Sequence, residues 1–155
     1  MSKKKKVNKT KPNETWNRFV IRKQFKFEGA HQLFTSFSEC CNQQIHGHSY
    51  VVDVFFMSNK LNKDGMVIDF GEIKSKINKY MNSWDHAIVM PRMFPKEYID
   101  MLKKHNKKIM IVDYNPTAEN MAKYMYEYIS DKIPETLKVR VSETATGFAE
   151  YCEGF

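Results

Sequence analysis

Cysteine is scarce in this chain: there are three in 155 residues, two of them adjacent at Cys40 and Cys41. A disulfide-stapled secreted domain needs paired cysteines at spaced positions, so that class is excluded and a reducing, cytoplasmic setting is expected. Long apolar runs are missing too. None approaches the roughly 18–20 residues that cross a bilayer, so no membrane association is expected. The N-terminus is lysine-rich but has no apolar stretch behind it, and no secretory signal is expected. Internal repeats are absent. Acidic residues are absent from residues 1–11, which hold six lysines (Lys3, Lys4, Lys5, Lys6, Lys9 and Lys11). That block supplies most of the formal net charge of +7, because the other 19 basic residues face 18 acidic ones. The body is therefore about neutral and is not read as a nucleic-acid-binding surface. Residues 1–16 read as a solvated, disordered tail and residues 17–155 as one domain.

What the chain does have is patterned apolar sequence, 42% hydrophobic and 14% aromatic, enough for one core. From Arg18 to His31 the residues alternate, with Phe19, Ile21, Phe25, Phe27 and His31 on one face and Arg18, Arg22, Gln24, Lys26 and Glu28 on the other. Period-two alternation predicts a half-buried antiparallel strand. A second strand is predicted over Ile45–Met57, followed by a turn that closes on Asp64-Gly65. Between the two strands, Gln32–Gln44 reads as a loop. Helical spacing begins at Asp69, with Phe70, Ile73, Ile77, Tyr80, Met81 and Trp84 on one side and an end expected near Asn82-Ser83. Asp85-His86 falls on the linker. A short helix is expected within Pro95–Asn106 and a short strand within Lys108–Asp113. Asn115-Pro116 starts another helix, proline taking its first position, with Met121 and Met125 read as core filler. Leu137, Val139, Val141 and Glu143 alternate in a further strand, and Phe148–Cys152 forms the last. The order β-β-α-α-β-β predicts an α+β fold, an antiparallel four-stranded sheet with two helices on one face.

Chemistry gathers at strand ends. His46 and His48, two apart at the start of the second strand, point the same way because strand side chains alternate. His31 ends the first strand, and an antiparallel pairing brings it beside them. Three imidazoles with an open fourth position is the pattern of a catalytic zinc site, although cobalt, nickel or iron would accept the same ligands. Cys40 or Cys41 either closes that position, giving a structural site, or serves as an acid–base thiol whose pKa the cation lowers. Asp85-His86 offers a second acid–base unit. Glu143 stands where the alternation calls for an apolar residue. Its carboxylate needs a partner there, either a cross-strand cation or the guanidine-like edge of a pterin or purine.

Taken together, Phe27-Glu28-Gly29-Ala30-His31, Ile45-His46-Gly47-His48-Ser49-Tyr50, Gly65-Met66-Val67-Ile68-Asp69-Phe70, Asp85-His86, Asn115-Pro116-Thr117-Ala118-Glu119-Asn120 and Val141-Ser142-Glu143-Thr144 resemble the 6-pyruvoyl-tetrahydropterin synthase / 6-carboxy-tetrahydropterin synthase family. The resemblance runs from about Phe25 to Tyr151. It implies the tunnelling fold, with trimers closing their sheets into a barrel, trimers stacking as hexamers, and active sites between subunits. It also implies zinc on His31, His46 and His48, a cysteine as proton acceptor, and Asp85, His86 and Glu143 as relay and pterin anchor. Thr117 and Glu119 are implied near the pterin. The implied reaction is that of a zinc-dependent lyase converting 7,8-dihydroneopterin triphosphate to 6-carboxytetrahydropterin, acetaldehyde and triphosphate on the way to queuosine. The alternatives are pyruvoyl formation by triphosphate elimination, or a non-catalytic zinc- and pterin-binding protein. Three features depart from the family. The carboxy-forming branch usually carries its cysteine four residues before the first histidine of His-Gly-His, and here that residue is Asn42. Cys40 lies six before, the spacing of the pyruvoyl-forming branch, and is favoured over Cys41, which lies five before. The stretch from Pro91 to Asp113 and the lysine block are both additional.

Overall fold

Two long strands make the frame. β1 (Phe19–His31) and β2 (His46–Ser58) pair antiparallel without a slip, from Phe19 opposite Ser58 to His31 opposite His46. The computed structural model describes residues 18–154, and the tail expected at residues 1–16 lies outside them. Between β1 and β2, the segment expected as loop contains a one-turn helix, α1 (Glu39–Asn42). After β2 come α2 (Phe70–Trp84), β3 (Ala87–Pro91), α3 (Lys96–His105), β4 (Ile109–Val112), α4 (Ala118–Lys132), β5 (Thr136–Ser142) and β6 (Phe148–Tyr151). The spatial order of the sheet is β4-β3-β1-β2-β5-β6.

The α+β class holds, but the sheet has six strands where four were expected, and two further helices accompany the predicted pair. It is also mixed rather than purely antiparallel, since β3 runs parallel to β1 and β4 parallel to β3. β3 carries no alternation to betray it. Ala87, Val89, Met90 and Pro91 are all buried, the pattern of a parallel strand covered on both faces. A parallel neighbour needs a crossover, which α3 supplies. Both α3 and β4 fall inside the stretches where a short helix and strand were expected.

Local chemistry sets the helix limits. The Asp69 carboxylate accepts from Gly71 N–H at 2.6 Å and caps α2. α2 continues through Trp84 instead of ending near Asn82-Ser83, because the last turn buries the indole to 2% exposure. Thr117 caps α4 by accepting from Asn120 N–H, so Pro116 precedes the cap rather than opening the helix.

α2 and α4 cover one face of the sheet. Val52, Val54 and Phe56 of β2 and Val139 and Val141 of β5 meet Ile73 and Ile77 of α2 and Met121, Met125 and Ile129 of α4, every one at 0% exposure. Each such side chain contributes about 1.5–3 kcal/mol relative to an exposed one. Followed along β2, this face runs from Phe56 through Tyr50 to His48 and His46 at the start of the strand. The site stands there. On β1, strand β3 accompanies only Gly29–His31, so Phe19–Phe27 has a neighbouring strand on one side only among the described residues. No helix among them is long and apolar enough to cross a membrane.

Candidate functional site

His31 and His46 face each other because the β1–β2 register makes them direct partners, and His48 joins them from opposite Gly29. The missing side chain at Gly29 matters: a Cβ there would come within 3.2 Å of the Phe27 ring. The three imidazole centroids are 4.5, 5.1 and 4.9 Å apart, and one ring nitrogen from each lies within 4.8 Å of the others.

The surroundings decide which nitrogens point inward. His31 Nδ1 lies 2.8 Å from the carbonyl oxygen of Pro116, which can only accept, so Nδ1 carries the proton and Nε2 the lone pair. Tyr50 Oη lies 3.3 Å from the same nitrogen. His46 Nδ1 faces the Gln44 carbonyl at 3.4 Å, which favours the same tautomer. Two lone-pair-bearing Nε2 atoms are thus directed at each other across 2.9 Å. Such a pair is repulsive unless a positive charge lies between them. Burial, helped by the nearby His46 and His48 rings, pushes His31 down to about 4 despite the opposing hydrogen bond to Pro116, so a proton is a poor candidate for that charge. A divalent cation suits it: tetrahedral nitrogen ligands at the usual zinc bond length of about 2.0–2.1 Å stand roughly 3.3 Å apart. Backbone carbonyls holding the outer nitrogens are the usual second layer of a metal centre. The three histidines fit a metal ion.

The same burial predicts an acid-sensitive apo state. Unfolded His31 titrates near 6.5, whereas folded His31 stays neutral down to about 4. Between those values the unfolded chain binds the extra proton, so stability falls as pH drops through that window and levels off below it. Urea unfolding of metal-stripped protein should show this loss, and His31→Gln should lessen it by roughly 3 kcal/mol. Parallel losses in the two proteins would contradict the assignment.

Beside the histidines lies a cavity of about 340 Å³ lined by His31, Cys41, Thr117, Glu119, Glu143 and Phe148. Glu143 follows directly after β5, and its Oε1 is buried without a hydrogen-bond partner, 3.9 Å from His31 Nε2. Burial and then the charge of Glu119 raise its carboxyl above the usual range. The His46 ring and the Tyr50 hydroxyl draw it the other way, and Oε1 remains free to accept from a ligand.

Other expected residues sit elsewhere. Cys40 is exposed and does not line the cavity; its sulfur is 3.7 Å from that of Cys41 and 3.1 Å from Ser38 Oγ. Hydrogen bonds from Ser38 and then Cys41 lower the Cys40 thiol, whereas burial raises that of Cys41. Asp85 and His86 form a pair, Oδ2 to Nε2 at 3.7 Å. His86 lines a different cavity of about 370 Å³ with Glu28, Ser49 and His48. Within one chain the pair is not part of the cavity that holds Glu143. The sequence reading passed over Tyr50 and the Pro116 carbonyl. Tyr50 could have been found, since it continues the His46–His48 stripe, but a carbonyl contact leaves no mark in side-chain identity.

The chain is similar to known proteins along most of its length. A family model described as 6-pyruvoyl tetrahydropterin synthase matches residues 20–154. A protein of Aquifex aeolicus named 6-carboxy-5,6,7,8-tetrahydropterin synthase is 32% identical over a 163-residue alignment spanning 88% of this chain and 99% of its own. Its namesake from Haemophilus influenzae is 34% identical over 143 residues, 87% of this chain and 99% of its own. Among solved structures, an uncharacterized protein of Wolinella succinogenes superposes with a TM-score of 0.73 at 19% identity, covering 89% of this chain and 99% of that one. The 6-pyruvoyl tetrahydropterin synthase of Caenorhabditis elegans gives 0.66 at 22%, covering 89% and 97%. At those identities the structures speak for the fold alone.

Proposed function

Because the chain belongs to the 6-pyruvoyl tetrahydropterin synthase family, we propose that it is a zinc-dependent 6-carboxy-5,6,7,8-tetrahydropterin synthase, a lyase acting on 7,8-dihydroneopterin triphosphate in queuosine and related 7-deazapurine synthesis. The observation that carries this is the convergence of three imidazole nitrogens within 4.8 Å beside a cavity holding both Glu143 and Cys41. The choice of carboxy product follows relatives at 32% and 34% identity that bear that name.

In this reading His31, His46 and His48 hold zinc, which when bound supplies Lewis acidity at the side-chain hydroxyls of the substrate. Glu143 anchors the pterin. Its unpartnered Oε1 accepts from the amino-pyrimidine edge, and Thr117 and Glu119 flank the ring. Cys41 faces the substrate side chain and takes a proton from carbon. Cys40, 3.7 Å away and outside the cavity, is the better-stabilised thiolate and so the weaker base of the two. Asp85–His86 is exposed and outside its own chain's cavity, so it serves a neighbouring copy in a trimer or hexamer. The one-sided stretch of β1 and the outer edge of β6 are the backbone rims through which such copies pair.

The pyruvoyl-forming alternative is favoured by one observation, the six-residue spacing from Cys40 to His46. Incubation of zinc-loaded protein with dihydroneopterin triphosphate, with mass analysis of the products, separates the two. Acetaldehyde with a carboxypterin is the expected result. Triphosphate loss with every carbon retained assigns the chain to the other branch.

A further inference from the structure

The stretch between β3 and β4 reaches back to the Asp85–His86 corner through one side chain, Lys108. Its backbone is fixed first: the Lys108 carbonyl accepts from Ile88 N–H at 3.0 Å, directly before β4. From there Nζ donates to two carbonyls at the end of α2, that of Asn82 at 2.9 Å and that of Asp85. Asp85 is extended, and His86 then turns to φ +57°, the one non-glycine residue with positive φ among those described. Histidine tolerates the left-handed region better than most residues, yet it does not adopt it without being held.

The contacts show what holds it. His86 N–H donates to the Glu28 carbonyl at 2.5 Å, and Glu28 N–H donates to Asp85 Oδ1 at 3.0 Å. The planar peptide joining Asp85 to His86 is therefore gripped at both poles, its N–H by β1 and its C=O by Lys108. With that plane fixed on one side and Ala87 paired with Gly29 on the other, the backbone of His86 is held at both ends of its turn.

We infer that Lys108 is a positioning residue for His86. It clamps the peptide before the histidine and keeps the ring in the corner where Asp85 Oδ2 lies 3.7 Å from Nε2. The inference rests on the acid–base reading of that pair. An ammonium at a helix C-terminus also stabilises the last carbonyls in general, so the test has to separate orientation from stability.

Lys108→Met removes the donor and keeps the stem, Lys108→Arg restores a donor, and Lys108→Leu, which also has no donor, substitutes for the methionine variant should that fail to fold. In crystal structures of the zinc-loaded proteins, His86 should keep its left-handed φ in wild type and Lys108→Arg and leave it in Lys108→Met. An unmoved His86 in Lys108→Met overturns the inference. In turnover of dihydroneopterin triphosphate, Lys108→Met should lower kcat about tenfold with KM within about twofold, and Lys108→Arg should recover most of the loss. In a His86→Asn background, where asparagine still tolerates the left-handed turn, Lys108→Met should cost less than about twofold more. A lower melting temperature with unchanged kcat, or the same tenfold loss in both backgrounds, overturns the inference. If His86→Asn turns over like wild type, the acid–base reading of the pair is what fails, and the crystallographic comparison alone decides the role of Lys108.

Discussion

His46→Ala should purify with almost no zinc, against about one ion per chain in the wild type, and turnover should fall by about a thousandfold or more. The expectation follows from position. His46 is the direct strand partner of His31, and their Nε2 atoms lie 2.9 Å apart. Without it, two imidazoles remain, too few for a tight tetrahedral site. His46 is the half-buried first residue of β2 and is not among the side chains of the hydrophobic core, so the variant should fold. Metal analysis of the purified variant beside its thermal melt checks both halves. Full zinc occupancy would remove the histidine cluster as the metal centre.

Cys41→Ala should lower kcat about a thousandfold, within the usual range for a lost general base, and leave zinc content unchanged. Cys40→Ala should cost about tenfold or less, because its sulfur lies 3.7 Å from that of Cys41 and outside the cavity. The double variant should resemble Cys41→Ala. This ranking reverses the preference that spacing alone gives to Cys40, and steady-state kinetics of the three variants test it directly. A larger loss at Cys40 restores the spacing argument. Unchanged turnover in all three removes the thiols from the mechanism. A wild-type protein that binds pterin and zinc without turning over substrate is a binding protein on the same scaffold.

The contrast between the cysteines shows where sequence reading succeeds and where it stops. Strand periodicity fixes faces, so the alternation in β1 and β2 was enough to put His31, His46 and His48 on one side and to foresee their meeting. α1 is a single turn with neither a side-chain cap nor a buried residue. Periodicity has no purchase on so short an element, and which of two adjacent thiols faces inward depends on its phase. β3 went unseen for a related reason: burial on both faces erases alternation, leaving five apolar-rich residues that any loop could contain. The separation of Asp85–His86 from Glu143 was invisible because it depends on where a linker leaves the sheet. The identity of the residues in that linker says nothing about its exit.

The three-residue contact between β3 and β1 governs how this fold can change in length. Strands β3 and β4 attach where β1 is already ending, at Gly29–His31, and so they widen the sheet only at one corner. Extra chain can be housed at that corner without consuming the backbone rim from Phe19 to Phe27 or disturbing the His31–His46 register. An equal insertion between β5 and β6 would fall beside Glu143 and Phe148 and reshape the cavity wall. Descent with insertions is therefore cheap at one loop of this molecule and ruinous at another.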